Sequence, residues 1–234
     1  MNNQAILLKV KERINKLDSQ DYDNLESWQI IEAFNKAQSD WCRRQLHGYN
    51  NLQEGDEQSK KRIDDLQILL TDAKMTFSKQ DRYYRTGELP ENYFAWKRIA
   101  INGSNECCKE RRAFVVYLAE EANVEELLRD KNRRPSFSWA ETFCTLKSNR
   151  VNIYTNNEFE ITDVLLTYYK QPAKIEIAGI SNPYTQVVSN RDVLCEFKDD
   201  VTEVLIDECV SIISKDLANY YNQQYTEQNV EKNN

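Results

Sequence analysis

Residues 161–180 read ITDVLLTYYKQPAKIEIAGI, a run dense in β-branched and aromatic residues that predicts strand. Downstream, Asp200-Val201-Thr202-Glu203 opens a helix: Asp200 is the cap, Glu203 stands at the third position, and the carboxylates suit the positive end of the helix dipole. Val201, Val204, Leu205, Cys209, Ile212 and Ile213 form its apolar stripe. Past that helix the chain turns polar and aromatic, Tyr220-Tyr221-Asn222-Gln223-Gln224-Tyr225. Such a segment buries too little apolar surface to fold alone, yet it offers rings and uncharged donors to a neighbour. The last third therefore reads as part of an assembly protein, with Tyr220, Tyr221 and Tyr225 as candidate docking residues.

Toward the N-terminus, residues 93–101, 113–119, 136–146, 151–154 and 159–170 are strand candidates, with a short helical turn at 124–129. Asn102-Gly103 predicts a hairpin turn, because both positions accept positive φ. Asn149, Asn156 and Asn157 stand where further turns are due. Ahead of the break at Leu89-Pro90 come three predicted helices. The first, 5–17, carries Ile6, Leu7, Val10, Ile14 and Leu17 on one stripe. The second starts from a capping box of Asp23 and Glu26, presents Trp28, Ile31, Phe34, Gln38, Trp41 and Gln45 along one face, and stops at Gly48. The third places Ile63, Leu66 and Leu70 at helical spacing. The expected fold class is α+β: a helical bundle of the N-terminal helices (1–88) and the C-terminal helix (199–218), with a β-rich antiparallel middle (89–198) and a polar tail (219–234).

At 234 residues the chain can bury a full core, in one domain or two coupled ones. No apolar run approaches the roughly 20 residues of a membrane span, and Met-Asn-Asn-Gln-Ala carries no signal-peptide pattern, so synthesis and use without crossing a membrane are expected. Six cysteines, at 42, 107, 108, 144, 195 and 209, show neither a disulfide framework nor zinc-ligand spacing, and they read as reduced structural thiols. The net charge is −7, and residues 192–234, with ten acids against three bases, hold the whole excess. Residues 60–62, 109–112 and 129–134 are local basic clusters. A chain polarised in this way can pair end to middle with a copy of itself, the heterologous contact that closes rings. Arg133 and Arg134 are then the candidate interface residues, although plain solvated faces account for the same charges.

No catalytic constellation emerges. His47, beside Gly48 at a helix end, is the one histidine, so no triad or two-histidine metal site can be built on a second imidazole. Five glycines include no G-x-G-x-x-G and no P-loop pattern. Asp64-Asp65, Glu120-Glu121, Glu125-Glu126 and Asp199-Asp200 are adjacent pairs whose side chains diverge on a helix. No cofactor or metal is expected. The Arg82-Tyr83-Tyr84-Arg85 run has the composition to stack on nucleic acid, but the basic residues are dispersed and the chain is acidic overall.

Residues 28–44 (WQIIEAFNKAQSDWCRR), 165–172 (LLTYYKQP) and 195–197 (CEF), in that order ahead of a last helix, resemble a family of small neck proteins of crAss-like bacteriophages, which are similar to the head-to-tail adaptors and ring proteins of podovirus-type phages. The resemblance implies a virion structural protein: a ring of roughly twelve copies in the phage neck, bridging portal and tail proteins around the genome channel. It also implies assembly from subunits made in the host cytoplasm. An acidic lumen would repel phosphate and keep the DNA from adhering. Two alternatives stay open: a cytosolic enzyme with a dispersed active site, and another virion component such as a tail or packaged internal protein.

Overall fold

A computed structural model describes residues 1–17, 25–49, 53, 55, 58–105, 111–184 and 186–216. The chain divides into two compact units, residues 1–68 together with 172–234, and residues 69–171.

The first unit is helical. Its elements are α1 (Asn3–Leu17), α2 (Ser27–His47), α3 (Lys60–Leu66) and α5 (Asp199–Asp216), with a small hairpin, β9 (Ser181–Asn182) and β10 (Val187–Val188). The cap of α2 is Glu26, whose side chain and that of Gln29 form a reciprocal capping box, one turn later than the box expected from Asp23. Gly48 ends α2 in the left-handed conformation, φ 74°, as a C-terminal glycine does. Ile6, Val10 and Ile14 of α1, Ile30, Phe34 and Trp41 of α2, and Leu205, Ile206, Cys209 and Val210 of α5 are buried, and α5 packs on both α1 and α2. Ionic contacts border that packing. Arg13 of α1 holds Glu203 and, at 2.5 Å, Asp207; Lys9 also meets Glu203; Arg44 of α2 meets the buried Glu208.

Residues 171–180, expected to continue a strand, form none. They hold a single bridge, Glu176 to Val193, and are fastened by asparagines: Asn35 of α2 donates to the Ile175 carbonyl (3.2 Å) and accepts from the Ile175 N–H (2.8 Å), while Asn3 of α1 donates to the carbonyls of Glu176 and Val193. Pro172 removes the donor that a continuing ladder would need.

The second unit is built on one curled eight-stranded sheet: β1 (Leu70–Lys74), β2 (Phe77–Lys79), β3 (Tyr83–Glu88), β4 (Tyr93–Ser104), β5 (Arg112–Leu118), β6 (Glu141–Lys147), β7 (Arg150–Tyr154) and β8 (Glu160–Lys170). The order is β1-β8-β4-β5-β6-β7-β3-β2. The two end strands, β1 and β2, are halves of one segment separated only by Met75 and Thr76. Leu70 to Lys74 pair with β8, the Met75 N–H bonds the Val164 carbonyl, Phe77 to Lys79 pair with β3, and the Thr76 carbonyl accepts from Gly87. The inner face holds a continuous apolar core that includes Ile99, Ile101, Phe114, Cys144, Val151, Ile153, Phe159, Val164 and Leu166.

This architecture overturns the expectation of a helical bundle carrying a β-rich middle: the large curled sheet dominates, and the described residues contain five α-helices. The difference lies in residues 70–88, read as helical yet supplying β1, β2 and β3. These strands are short and polar, with half-exposed faces carrying Asp72, Lys74, Ser78 and Lys79, so they lack the apolar alternation by which strands are recognised. Leu70, placed on a helical stripe with Ile63 and Leu66, is the first residue of β1. Asn102-Gly103 is not a turn either. β4 runs through both residues to Ser104, pairing Asn102 with Ala113 and Gly103 with Ile161. Nor is the sheet wholly antiparallel, since β5 and β6 run parallel.

Candidate functional site

The parallel pair β5–β6 requires a crossover of a dozen or more residues, and residues 119–140 provide it. They contain one α-helix, α4 (Val124–Arg129), of six residues, entered through a single 3-10 turn at Glu121–Asn123. A helix so short rises about 9 Å and cannot cover the outer face of four strands, so both its flanks stay open.

Beneath it lies a row of rings. Tyr117 of β5 is in register with Phe143 of β6; Phe143 stacks on Tyr154 of β7 at 4.8 Å between centroids; Tyr154 is in register with Tyr83 of β3, their rings 5.5 Å apart. Phe143 and Tyr154 are buried under Val124, with Leu127 and Leu128 packed against them. Tyr117 lies past the edge of that cover and is 55% exposed. Val115, on the same face of β5, is likewise exposed, and Trp139, whose neighbour Ala140 accepts a hydrogen bond from the Val115 N–H, is 71% exposed. Tyr117, Leu118, Leu127 and Phe143 line a groove of about 310 Å³ beside α4, with Asn132 and Arg133 at its rim. Apolar and aromatic groups, with Arg133 and Glu141 as the charged members of the lining, are the composition of a protein-binding surface.

Of the residues singled out from sequence, Arg133 is at this site, mostly exposed and 3.8 Å from Asp130. Arg134, next along the chain, lies 3.7 Å from Glu158. Tyr220, Tyr221 and Tyr225, like Cys107 and Cys108, lie outside the described residues. His47 sits in the last turn of α2, its ring 6.4 Å from that of Tyr49. Three acids of α5 are not free for a neighbour: Glu203, Asp207 and Glu208 are engaged by Lys9, Arg13 and Arg44 within the same unit. Sequence reasoning passed over Val115, Tyr117 and Trp139. In RAFVVYL both faces of the strand are apolar, so alternation could not tell the inner Phe114 and Val116 from the outer Val115 and Tyr117.

Other groups of chemical interest are structural. Burial pushes the thiols of Cys42 and Cys209 well above their ordinary range, and that of Cys144 up to about 12, which keeps them protonated. Among the described residues no group of three or more His, Cys, Asp or Glu side chains could hold a metal ion, and no helix is long and apolar enough to cross a membrane. Against known proteins, no family model matches this chain, and no curated protein matches it significantly.

Proposed function

We propose that this chain is a structural subunit that assembles with copies of itself into a ring, as a head-to-tail connector in a phage neck joining portal to tail around the genome channel. The observation that carries the assembly reading is the uncovered end of the aromatic row: Tyr117 and Val115, with Trp139 beside them, exposed next to a groove rimmed by Arg133. Exposed rings set around a pocket are what a neighbour's side chains bury against, and aromatic residues supply the larger share of interface energy. The basic rim of residues 129–134 orients such a contact more than it strengthens it. The position in a phage neck rests on the likeness of residues 28–44, 165–172 and 195–197 to that family.

Two measurements test the reading. Sedimentation velocity of the purified chain over a concentration series is expected to show a closed oligomer that Tyr117→Asp converts to monomer without lowering the melting temperature. Electron microscopy of particles carrying a tagged copy is expected to place the protein at the vertex between head and tail, in roughly twelve copies. A protein monomeric at every concentration and missing from the particle would overturn both halves of the proposal.

A further inference from the structure

The helical unit carries an apolar projection of its own. β9 and β10 form a hairpin on which Tyr184 is 82% exposed, the highest value for a large apolar side chain among the described residues, and Val187 and Val188 beside it are exposed as well. Exposed apolar residues scattered singly are ordinary, but three on one small hairpin mark a contact surface. A two-stranded hairpin is marginal by itself, and this one is held at its base. The Tyr184 ring stands edge-on to Trp28 of α2 at 5.4 Å, and Asn182 donates to Glu32. The Gly179 N–H bonds the Ser189 carbonyl at 2.9 Å, and the Ser189 N–H bonds the Ile180 carbonyl at 3.1 Å. The tip is thus positioned while Tyr184 and Val188 stay exposed.

A heterologous contact needs two different faces on each subunit. The groove beside α4 is one: Tyr117, Leu118, Leu127 and Phe143 supply its apolar wall, Asn132 and Arg133 its donors, and Glu141 its acceptor. Tyr184 answers each part. Its ring is a flat apolar body for the wall, and the hydroxyl at the far end can accept from Asn132 or Arg133 and donate to Glu141. Charge favours the same pairing. Residues 1–68 with 172–234 hold 15 Lys and Arg against 23 Asp and Glu, whereas residues 69–171 hold 16 against 15. Two acidic helical units repel each other, and two α4 grooves meeting face to face would oppose their basic 129–134 turns. Only the contact between unlike units escapes both penalties.

We propose that the β9–β10 hairpin of one copy seats Tyr184 in the groove beside α4 of the next copy. This rests on the ring reading above and goes beyond it by naming the face that a neighbour presents to Tyr117. Each subunit then gives a hairpin and receives one, which is the arrangement that closes a ring.

The test is sedimentation velocity of the full-length chain at low salt, with variants that each keep one face. Tyr184→Asp is expected to weaken self-association by about tenfold or more without lowering the melting temperature, and Val188→Asp, a second lesion on the hairpin, to act in the same direction. Tyr184→Asp and Tyr117→Asp proteins, each monomeric alone, are expected to form a one-to-one dimer when mixed, because one intact groove then meets one intact hairpin. If both hairpin variants assemble as the unaltered chain does, the groove is filled by a second Tyr117 face or by the tail from Asn219, and the assignment falls while self-assembly through Tyr117 stands. A mixture that stays monomeric would also overturn it. A chain monomeric at every concentration overturns the ring reading together with this inference.

Discussion

Gly103 has no room for a side chain because of Phe114: a Cβ at position 103 would stand 2.8 Å from the Phe114 ring, and 3.0 Å from that of Phe159. The two rings stack at 4.2 Å between centroids in the core of the curled sheet, and the glycine in β4 makes space for the pair. Gly103→Ala is therefore expected to destabilise the protein by about 1–3 kcal/mol through overpacking, read from the midpoint of urea unfolding. Phe114→Leu in the same chain should recover part of that loss. Additive losses would show that the ring is not the obstacle.

Glu208 and Arg44 set a pH dependence. Burial holds the Glu208 carboxyl above its ordinary value, with Arg44 pulling it back down. Because the folded value lies above the unfolded one, ionising Glu208 costs stability as pH rises from the usual carboxylate range through the folded value, and acidification relieves that cost. Removing Arg44 leaves a buried carboxylate without its counter-ion. Arg44→Met is expected to lose roughly 3 kcal/mol at neutral pH and clearly less near pH 5, compared by chemical denaturation at the two values. Glu208→Gln should flatten the difference between them.

Reversal of Arg133 and Arg134 to glutamate is expected to weaken self-association in a salt-dependent way while leaving the melting temperature nearly unchanged. Both side chains are exposed, each within 4 Å of one acid, and such pairs are worth about 0.2–1 kcal/mol apiece. Their role is then orientation, and it should fade as ionic strength rises. Association that is unaltered by the reversal at low salt would remove these arginines from the interface.

The buried thiols give a further readout. In a chain carrying Cys107→Ser and Cys108→Ser, alkylation at pH 8 is expected to be slow at Cys42, Cys144 and Cys209, because burial keeps all three protonated. Complete labelling should appear on addition of denaturant. Rapid labelling of Cys144 under native conditions would mean that the sheet core opens far more readily than its packing implies.

Individual elements of this fold were legible in the amino acids, but the architecture they build was not. Strands β5, β7 and β8 announce themselves through runs such as FVVY, VNIY and TDVLLTYY, and Gly48 marks the end of α2 because few other residues take its backbone angles. The short strands β1 and β2 do not, because each meets the sheet through main-chain hydrogen bonds while presenting polar side chains, and a ladder of backbone bonds leaves no trace in composition. Asn102-Gly103 misleads for the opposite reason: the glycine answers to the neighbouring Phe114 ring, a tertiary contact, and not to a local turn. The outer aromatic row was hidden in the same way, since only the register of four strands brings Tyr117, Phe143, Tyr154 and Tyr83 into line.

The pairing of Leu70 with Tyr169 also bears on the order in which the molecule folds. Seen from the helical unit, residues 69–171 are a loop separating α1 and α2 from α5. In a disordered chain, closing a loop of about a hundred residues costs about 4 kcal/mol of entropy. Once β1 lies against β8, the two ends of that loop stand about 5 Å apart, and α5 meets α1 and α2 almost as if it followed them directly. The expectation is that the sheet forms first: lesions in the sheet should then slow the helical unit's assembly, whereas lesions among the helices should leave formation of the sheet untouched, both read from refolding kinetics.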